Sequence, residues 1–248
     1  MFTTIGWSES QDTSGNLTNV AALADQHVRV SGDDIYVPEL NILLGAIGIG
    51  ATISRARITS PSLRALALPD FAPVAIGAEL AAADFLYFRL RHQLELVTNE
   101  VLNAQVAETA AGAEQETVLA WLADALPDPV AGDIRTVRAT NATTLVANAW
   151  TNGALTLDQT LPVGRYAIVG ARAESAGLLA FRFVFVGGIW RPGGLGCDAA
   201  GDPDPQGQRM GGWGVWGEFD SLTPPSVDFL SVSADTSQVL YLDLIRLS

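Results

Sequence analysis

The second half of this chain is a succession of short segments with β-strand character, and that succession constrains the fold more than any other feature. β-Branched and aromatic residues fill the segments, and turn-forming residues separate them at intervals of about 8 to 12 residues. The sequence LLAFRFVFV of residues 178–186 places three phenylalanines on one face of a strand and Arg182 on the other. This spacing is typical of β-sandwiches and barrels and leaves little room for helix.

About eight such segments fit between residues 134 and 248, which is the number of strands in a jelly roll. Asn152-Gly153 is the strongest hairpin signal, because both residues accept the positive φ of a tight hairpin turn. It predicts a hairpin between residues 143–150 and 154–157. Further strands are predicted at residues 165–171, 178–186, 213–219, 227–233 and 239–247.

The first half shows similar but less regular patterns. β-Branched or alternating residues with glycine and proline between them predict strands at residues 34–44, 51–59 and 63–68. The longest apolar run, residues 37–53, is interrupted by polar residues and glycines, so we interpret it as buried strand and turn.

Residues 78–126 allow two interpretations. Their composition is typical of helix, yet residues 101–108 and 117–123 can also form two strands around a turn at residues 110–113. We favour the hairpin over the helix.

Residues 128–133 are the best linker in the chain. Pro129 and Gly132 lie in this segment and Pro127 directly precedes it, and these residues break both helix and strand pairing. The sequence therefore predicts an all-β chain of two β-sandwich (jelly-roll) modules in tandem, residues 1–127 and 134–248. Minor helix is expected in the first half.

Several chemistries are excluded because the chain has no lysine. All 14 of its basic residues are arginines, so the P-loop, Schiff-base catalysis and pyridoxal phosphate binding are ruled out. The net charge of -13 argues against direct contact with nucleic acid, which requires a clustered basic surface. No segment provides such a cluster.

Few residues remain for catalysis. His27 and His92 are the only histidines, and neither lies in a recognisable catalytic or metal-binding frame. The single cysteine, Cys197, lies in a Gly/Asp/Pro loop and has no partner for an internal disulfide. We therefore predict no enzymatic activity, no catalytic residues and no cofactor.

The loop of residues 198–207 contains three aspartates, Asp198, Asp202 and Asp204, that form a weak candidate for calcium binding. Their alternating spacing matches the start of a calcium loop, whose oxygen ligands alternate along the chain. The match then fails, because the glutamate expected at the twelfth position falls on Trp213 and prolines restrict the backbone. A solvated loop is the favoured interpretation.

Aromatic residues alternate with glycine in residues 211–219, where Trp213, Trp216 and Phe219 are three residues apart. Such rings can form a sugar-binding platform, a subunit contact or part of the core. Trp213 and Phe219 share one face of a strand and Trp216 the other, so not all are expected to be exposed together.

Four segments prompt a comparison with a known class of protein: Ser60-Pro61-Ser62-Leu63-Arg64, residues 161–166 (LPVGRY), residues 190–193 (WRPG), and Thr223-Pro224-Pro225 followed by Ala234-Asp235-Thr236 and a terminal strand. In this arrangement the chain resembles the jelly-roll major capsid proteins of bacteriophages and archaeal viruses, including the small double jelly-roll type. It is short for two full jelly rolls, so a single large roll with an elaborated first half stays open.

The resemblance implies trimeric capsomers in an icosahedral virion shell that assembles in the host cytoplasm. The chain would then have itself and other virion proteins as partners, and an internal membrane lies beneath the shell in some relatives. Arginine suits subunit contacts because its planar fork pairs bidentately with carboxylates. The predicted interface residues are Arg55, Arg57, Arg64, Arg89, Arg91, Arg191, Trp190, Trp213 and Trp216.

Two other classes of function stay open. A carbohydrate-binding or adhesive β-sandwich would use the aromatic residues of segment 213–219 as its platform. A glycan hydrolase would need two carboxyl groups roughly 5 to 10 Å apart in a cleft. The 27 carboxylates are spread along the chain, and the sequence nominates no such pair.

Overall fold

The structure is a computed structural model, which describes residues 1–25, 27–65, 71–76, 94–202, 204–205 and 207–248. Its contacts divide the chain into two compact units, Phe2–Leu126 and Pro127–Ser248, which we call the N-terminal and C-terminal units. The described residues are almost entirely strand and loop, with one short helix, α1 (Pro61–Ala65), in the first half, and this confirms the all-β class. No helix in these ranges is long and apolar enough to cross a membrane.

The N-terminal unit consists of two sheets. Its strands are β1 (Phe2–Gln11), β2 (Thr18–Asn19), β3 (Val30–Ser31), β4 (Asp34–Tyr36), β5 (Ile42–Gly50), β6 (Ile53–Thr59), β7 (Phe71–Ala72), β8 (Val74–Ile76), β9 (Val101–Glu108) and β10 (Glu114–Ala123). One sheet has the order β1-β10-β5-β8, and the other has β3-β4-β9-β6-β7 with β2 also paired to β9.

The strand order of the N-terminal unit is that of a jelly roll. When β1 and β4 to β10 are numbered one to eight, the two sheets read 1-8-3-6 and 2-7-4-5. The strand pairs of this unit are antiparallel except one, since β8 runs parallel to β5. Only Pro73 separates β7 from β8, so the chain passes from one sheet to the other without reversing direction.

The C-terminal unit repeats this order with antiparallel pairs throughout. Its strands are β11 (Arg135–Asn141), β12 (Thr151–Ala154), β13 (Thr156–Leu157), β14 (Arg165–Glu174), β15 (Leu178–Val184), β16 (Gly193–Leu195), β17 (Gly217–Asp220), β18 (Ser226–Ser231) and β19 (Gln238–Arg246). The sheets are β13-β11-β19-β14-β17 and β12-β18-β15-β16. Without the two-residue β13, they again read 1-8-3-6 and 2-7-4-5.

The core of each unit is built from the inward faces of its strands. In the C-terminal unit Phe181 and Phe183 are fully buried, and Trp216 packs against both at ring-centroid distances of 6.1 and 6.0 Å. The predicted phenylalanine face of segment 178–186 is therefore confirmed for these two residues. In the N-terminal unit β5 is buried along its whole length, which confirms the buried-strand interpretation of the longest apolar run.

The hairpin predicted at Asn152-Gly153 is wrong. Both residues lie inside β12, which pairs with β18. Asn152 points outward and donates from Nδ2 to Asp228 Oδ1 at 2.8 Å. A Cβ atom at 153 would lie 2.2 Å from the Asn141 side-chain amide nitrogen, so any larger residue there would displace that side chain. The same dipeptide that suits a turn thus serves a close approach between the two sheets.

Two predictions in the first half are also wrong. Residues 63–65 belong to α1, not to a strand, and Ser60 begins the helix by accepting a hydrogen bond at Oγ from the Leu63 amide at 3.2 Å. The rest of that segment, residues 66–68, lies outside the described residues. β9 and β10 are strands as predicted, but they lie in different sheets and do not pair as a hairpin.

The division between the units lies at the start of the segment predicted to be a linker. Val130 donates its amide hydrogen to the Gly211 carbonyl at 2.9 Å, so this part of the segment pairs with a loop of the C-terminal unit. A Cβ atom at Gly211, whose φ is 82°, would lie 2.1 Å from the Val130 carbonyl oxygen. Contacts of the C-terminal unit therefore continue upstream of β11.

Candidate functional site

One end of the C-terminal unit gathers exposed apolar side chains from separate loops. The strand registers place three connections and the C-terminus at this end: Val184 opposes Ser226, Arg165 opposes Asp220 and Tyr166 opposes Arg246. We call this surface the apolar loop end, and it consists of Val163, Val186, Ile189, Leu222 and Leu247, which are 70%, 83%, 61%, 74% and 47% exposed.

Backbone hydrogen bonds connect the loops of this end to one another. Ser221 donates its amide hydrogen to the Gly164 carbonyl at 3.0 Å, which joins the β17–β18 connection to the chain before β14. Arg246 donates from Nη2 to the Val163 carbonyl at 3.0 Å, which joins the C-terminus to the same loop. The apolar side chains are therefore carried on loops with defined positions.

Arg191 holds the loop that carries Val186 and Ile189 in shape. Its Nη1 donates to the carbonyl oxygens of Gly188 and Ile189 at 2.9 and 3.2 Å, within the connection from β15 to β16. Trp190 in the same loop is half-buried. The two predicted interface residues of this loop thus lie beside the exposed Val186 and Ile189, and Arg191 acts on the loop of its own chain.

A cleft of about 360 Å³ opens at the same end of the C-terminal unit. Its walls combine apolar and polar side chains, including Arg135, Gln159, Tyr166 and Leu244. Tyr166 donates its hydroxyl hydrogen to the Pro162 carbonyl at 2.9 Å and so fixes the loop that forms one wall. The end therefore offers both protruding apolar side chains and a concave surface of suitable size for a side chain or two.

The arginines predicted at interfaces in the first half fall into three groups. Arg55 and Arg57 both point outward from β6, because the alternate residues Ala56 and Ile58 are fully buried. Arg64 is exposed on α1 and donates from Nε to Thr59 Oγ1 at 2.8 Å. Arg89 and Arg91 lie outside the described residues, as does His92.

Trp213 and Trp216 lie in the core instead of at the surface. They are 2% and 3% exposed within the single chain, so the core interpretation of segment 211–219 applies to both. The strand predicted at 213–219 begins only at Gly217, and the residues before it form a loop. Trp216 donates its backbone amide hydrogen to the Ile168 carbonyl at 2.8 Å, which fixes the loop against β14 and turns the rings inward.

The three aspartates of the candidate calcium loop already have partners. Asp198 accepts from the Gly177 amide, Asp202 accepts from the Ala199 amide at 3.0 Å, and Asp204 accepts from Arg172 and Arg209 at 2.8 and 3.1 Å. Arg172 is 7% exposed and also donates to three carbonyl oxygens of the loop. In the described parts of the chain no group of three or more acidic, histidine or cysteine side chains is arranged to hold a metal ion.

His27 joins a hydrogen-bonded chain that has the connectivity of a catalytic triad. Its Nε2 lies 2.7 Å from Thr3 Oγ1, and its Nδ1 contacts Asp25 Oδ1. Thr3 is fully buried, and the side chains of His27 and Asp25 are 2% and 5% exposed. The geometry lacks access for a substrate, so this network ties the loop around residue 25 to β1.

Two clusters were not found by inspection of the sequence. One is the arginine network that fixes the long loop between β16 and β17, in which Arg209 pairs with the fully buried Asp243. The other is a pair of buried glutamates, Glu108 and Glu116, in the N-terminal unit. Each cluster joins residues from separate strands or loops, and the local sequence carries no signal for either one.

Comparison with known proteins gives one weak structural similarity. No protein-family model matches the sequence, and no curated protein matches it. The major capsid protein P2 from bacteriophage PM2 is similar with a TM-score of 0.24 and 13% identity, over 100% of this chain and 98% of that one. A superposition at this level supports no conclusion about fold or function, so the interpretation depends on the strand order and the surfaces described above.

Proposed function

We propose that this chain is a structural coat protein that assembles with copies of itself into trimeric capsomers of an icosahedral virion shell. One observation carries the proposal: both units of the chain have the 1-8-3-6 and 2-7-4-5 strand order of a jelly roll. Jelly rolls form viral capsid domains, and they also occur in lectins and cupins. Two of them in succession within 248 residues favour the capsid class, in which the sequence already placed the chain by resemblance.

The apolar loop end supports self-assembly and supplies a candidate contact. Val186, Ile189 and Leu222 are each more than 60% exposed, and burial of such side chains against a second copy would stabilise the contact. The occupant we propose is the cleft of another copy, which lies at the same end of the unit but is lined by other residues than these. A contact between the exposed loops of one copy and the cleft of the next joins two different surfaces and can repeat around a ring, which suits a closed trimer.

The carbohydrate-binding alternative depends on tryptophans that are not exposed. Trp213 and Trp216 are buried and their rings pack in the core, so they offer no platform to a sugar. No other observation favours that class. We therefore carry the structural role alone, with no catalytic activity and no cofactor proposed.

The remaining partners and the location follow from this proposal. The chain would reside in the virion after assembly in the host cytoplasm and would contact itself and other virion proteins. Its net charge of -13 disfavours direct contact with the genome, since two anionic partners repel. A membrane beneath the shell belongs to some members of the resembled class and is not required by any contact described above.

Mass photometry and negative-stain imaging of the purified protein over a range of salt concentrations test the proposal. We expect trimers and larger closed particles. A chain that stays monomeric under all conditions would contradict the coat-protein role.

Variants then test the contact surface. Val186→Ser with Ile189→Ser, or Arg191→Ala, is expected to reduce assembly without changing the melting temperature by more than a few degrees. Val146→Ser is the matched control, because Val146 is 59% exposed and lies at the opposite end of the same unit. Normal assembly of the double variant would exclude the apolar loop end as a contact while leaving the coat-protein role intact.

A further inference from the structure

Two carboxyl groups meet inside the N-terminal unit at one end of the sandwich. Glu108 is the last residue of β9 and Glu116 is the third residue of β10, so the two come from different sheets. Glu108 is 3% exposed and Glu116 is fully buried. Thr13 contacts both carboxyl groups, because its amide donates to Glu108 Oε2 at 3.3 Å and its hydroxyl donates to Glu116 Oε1 at 2.7 Å.

The environment of the pair disfavours a second negative charge. The pKa of Glu116 is raised to about 7. Burial is the largest cause and the charge of Glu108 adds to it, whereas hydrogen bonds from Thr13 and Gln11 partly oppose the shift. Two carboxyl groups that share a site cannot both ionise easily, and one proton is held between them.

The groups that face the pair include no buried cation. Thr13 donates from Oγ1 to Glu116 Oε1 at 2.7 Å, and Gln11 donates from Nε2 to Oε2 at 3.3 Å. The neighbouring strands place Glu9, Gly50 and Ile53 opposite the two glutamates.

Three charged groups lie at the rim of this end. Glu114 lies two residues before Glu116 on the same strand. Asp12 accepts from the Ser14 amide at 3.1 Å. The exposed Arg55 donates to the Gly15 carbonyl at 3.4 Å instead of reaching either glutamate of the pair. A second buried charge would thus have no direct cationic partner among the described contacts.

The segment after β1 is held by this pair. Thr13 donates its amide hydrogen to Glu108 Oε2 at 3.3 Å, and the Gly15 amide donates to the Glu108 carbonyl at 3.3 Å. In return the Glu108 amide donates to the Thr13 carbonyl at 3.4 Å. These backbone bonds are long, so the side-chain contacts of Thr13 contribute much of what fixes residues 13–15.

We propose that Glu108 and Glu116 form a proton-operated latch, in which one shared proton keeps residues 13–15 closed over the end of the N-terminal sandwich. When the proton leaves to solvent, two carboxylates face each other without a cation, and their repulsion opens the segment. The latch is independent of the proposed assembly contact, which lies in the C-terminal unit.

The direction of the pH effect follows from linkage. A carboxyl group with a raised pKa in the closed state stabilises that state fully below its ordinary value of 4.5 and loses this contribution as the pH rises through about 7. The opening constant should rise severalfold per pH unit in this window and then level off, which gives about 40-fold between pH 5 and 7.

Hydrogen exchange of the peptide that contains residues 12–19, corrected for the intrinsic rate at each pH, tests the latch in the full chain between pH 5 and 8. We expect its protection to fall with pH in the wild type. In Glu116→Gln the fall should be abolished, because the amide can donate permanently to Glu108. Glu39→Gln is the matched control and should keep the wild-type profile, because Glu39 is exposed and lies just before β5, at the other end of that strand from Gly50, which opposes Glu116.

Glu108→Gln is the second variant if Glu116→Gln fails to fold, and it should flatten the profile in the same way. Identical pH profiles in the wild type and a folded glutamine variant would overturn the proposal. This result does not depend on whether the chain assembles.

Discussion

Asp243 is the residue whose replacement should most clearly expose how the long β16–β17 loop is held. Its fully buried carboxylate accepts from Arg209 Nε and Nη2 at 2.7 and 2.8 Å. It also accepts from the Met210 amide and from Thr136 Oγ1, each at 2.8 Å. Asp243→Asn keeps the shape of the side chain but removes its charge and replaces one acceptor with a donor.

The magnitude follows from the pairing. Removing one partner of a buried ion pair costs about 3–5 kcal/mol, because the remaining charge is left without compensation. The Arg209 side chain is 20% exposed and retains Asp204 at 3.1 Å, so we expect the lower end, about 3 kcal/mol. With an unfolding entropy of about 2.1 cal/mol/K per residue over about 120 residues, this loss lowers the melting temperature by about 12 °C.

The pH dependence has a definite sign. Burial raises the pKa of Asp243, but the hydrogen bonds from Arg209, Met210 and Thr136 outweigh it, and the net pKa is below its usual 3.8. A depressed carboxyl pKa contributes stability that is present above the usual value and is lost as the pH falls through the folded-state value. The difference between wild type and variant should therefore be constant from pH 5 to 8 and shrink only in strong acid.

Calorimetry of the wild type and Asp243→Asn at pH 7 measures the shift in melting temperature. Asp133→Asn is the matched control, because it makes the same change in the exposed Arg135–Asp133 pair, whose side chains are 76% and 82% exposed. The control should shift the melting temperature little, as exposed pairs contribute little. If Asp243→Asn lowers it no more than the control does, the Arg209–Asp243 pair does not stabilise the unit and the reasoning fails.

Two further predictions concern packing and reactivity. Gly153→Ala should destabilise the C-terminal unit by about 1–3 kcal/mol in urea denaturation, because its Cβ atom would overlap the Asn141 side-chain amide. Ala154→Gly on the same strand is the control, since it creates no overlap; a loss of stability in Gly153→Ala that is no larger than the loss in Ala154→Gly would contradict the clash. Cys197 is 1% exposed, and burial raises the pKa of its thiol to about 11. Iodoacetamide at pH 8 should therefore label it only after unfolding, and fast labelling of the native chain would show that the loop around Cys197 opens.

The strand content of this protein was predictable from the sequence because side-chain alternation reports directly on a half-buried strand. β9, β14, β15, β18 and β19 lie within a few residues of the predicted segments. The all-β class and the burial of Phe181 and Phe183 follow from the same alternation, which is a local property of the chain.

The pairing of those strands was decided by tertiary structure. Asn152-Gly153 has the composition of a turn, but it lies in β12, which pairs with β18, and a Cβ atom at Gly153 would overlap the Asn141 side chain of the other sheet. β9 and β10 have a short connection typical of a hairpin, yet each finds its partner in a different sheet, because both sheets of the sandwich need an inward apolar face.

The candidate sites show the same difference between what local sequence predicts and what tertiary contacts decide. The sequence by itself determined that the chain is β-rich, acidic and without lysine. It nominated Trp190 and Arg191 as interface residues, and the structure shows them in a loop beside exposed apolar side chains. Only the tertiary structure buried Trp213 and brought Glu108 against Glu116. Periodicity describes which face a residue occupies, whereas a charge or a ring acquires its chemistry from residues that are distant in sequence and adjacent in the fold.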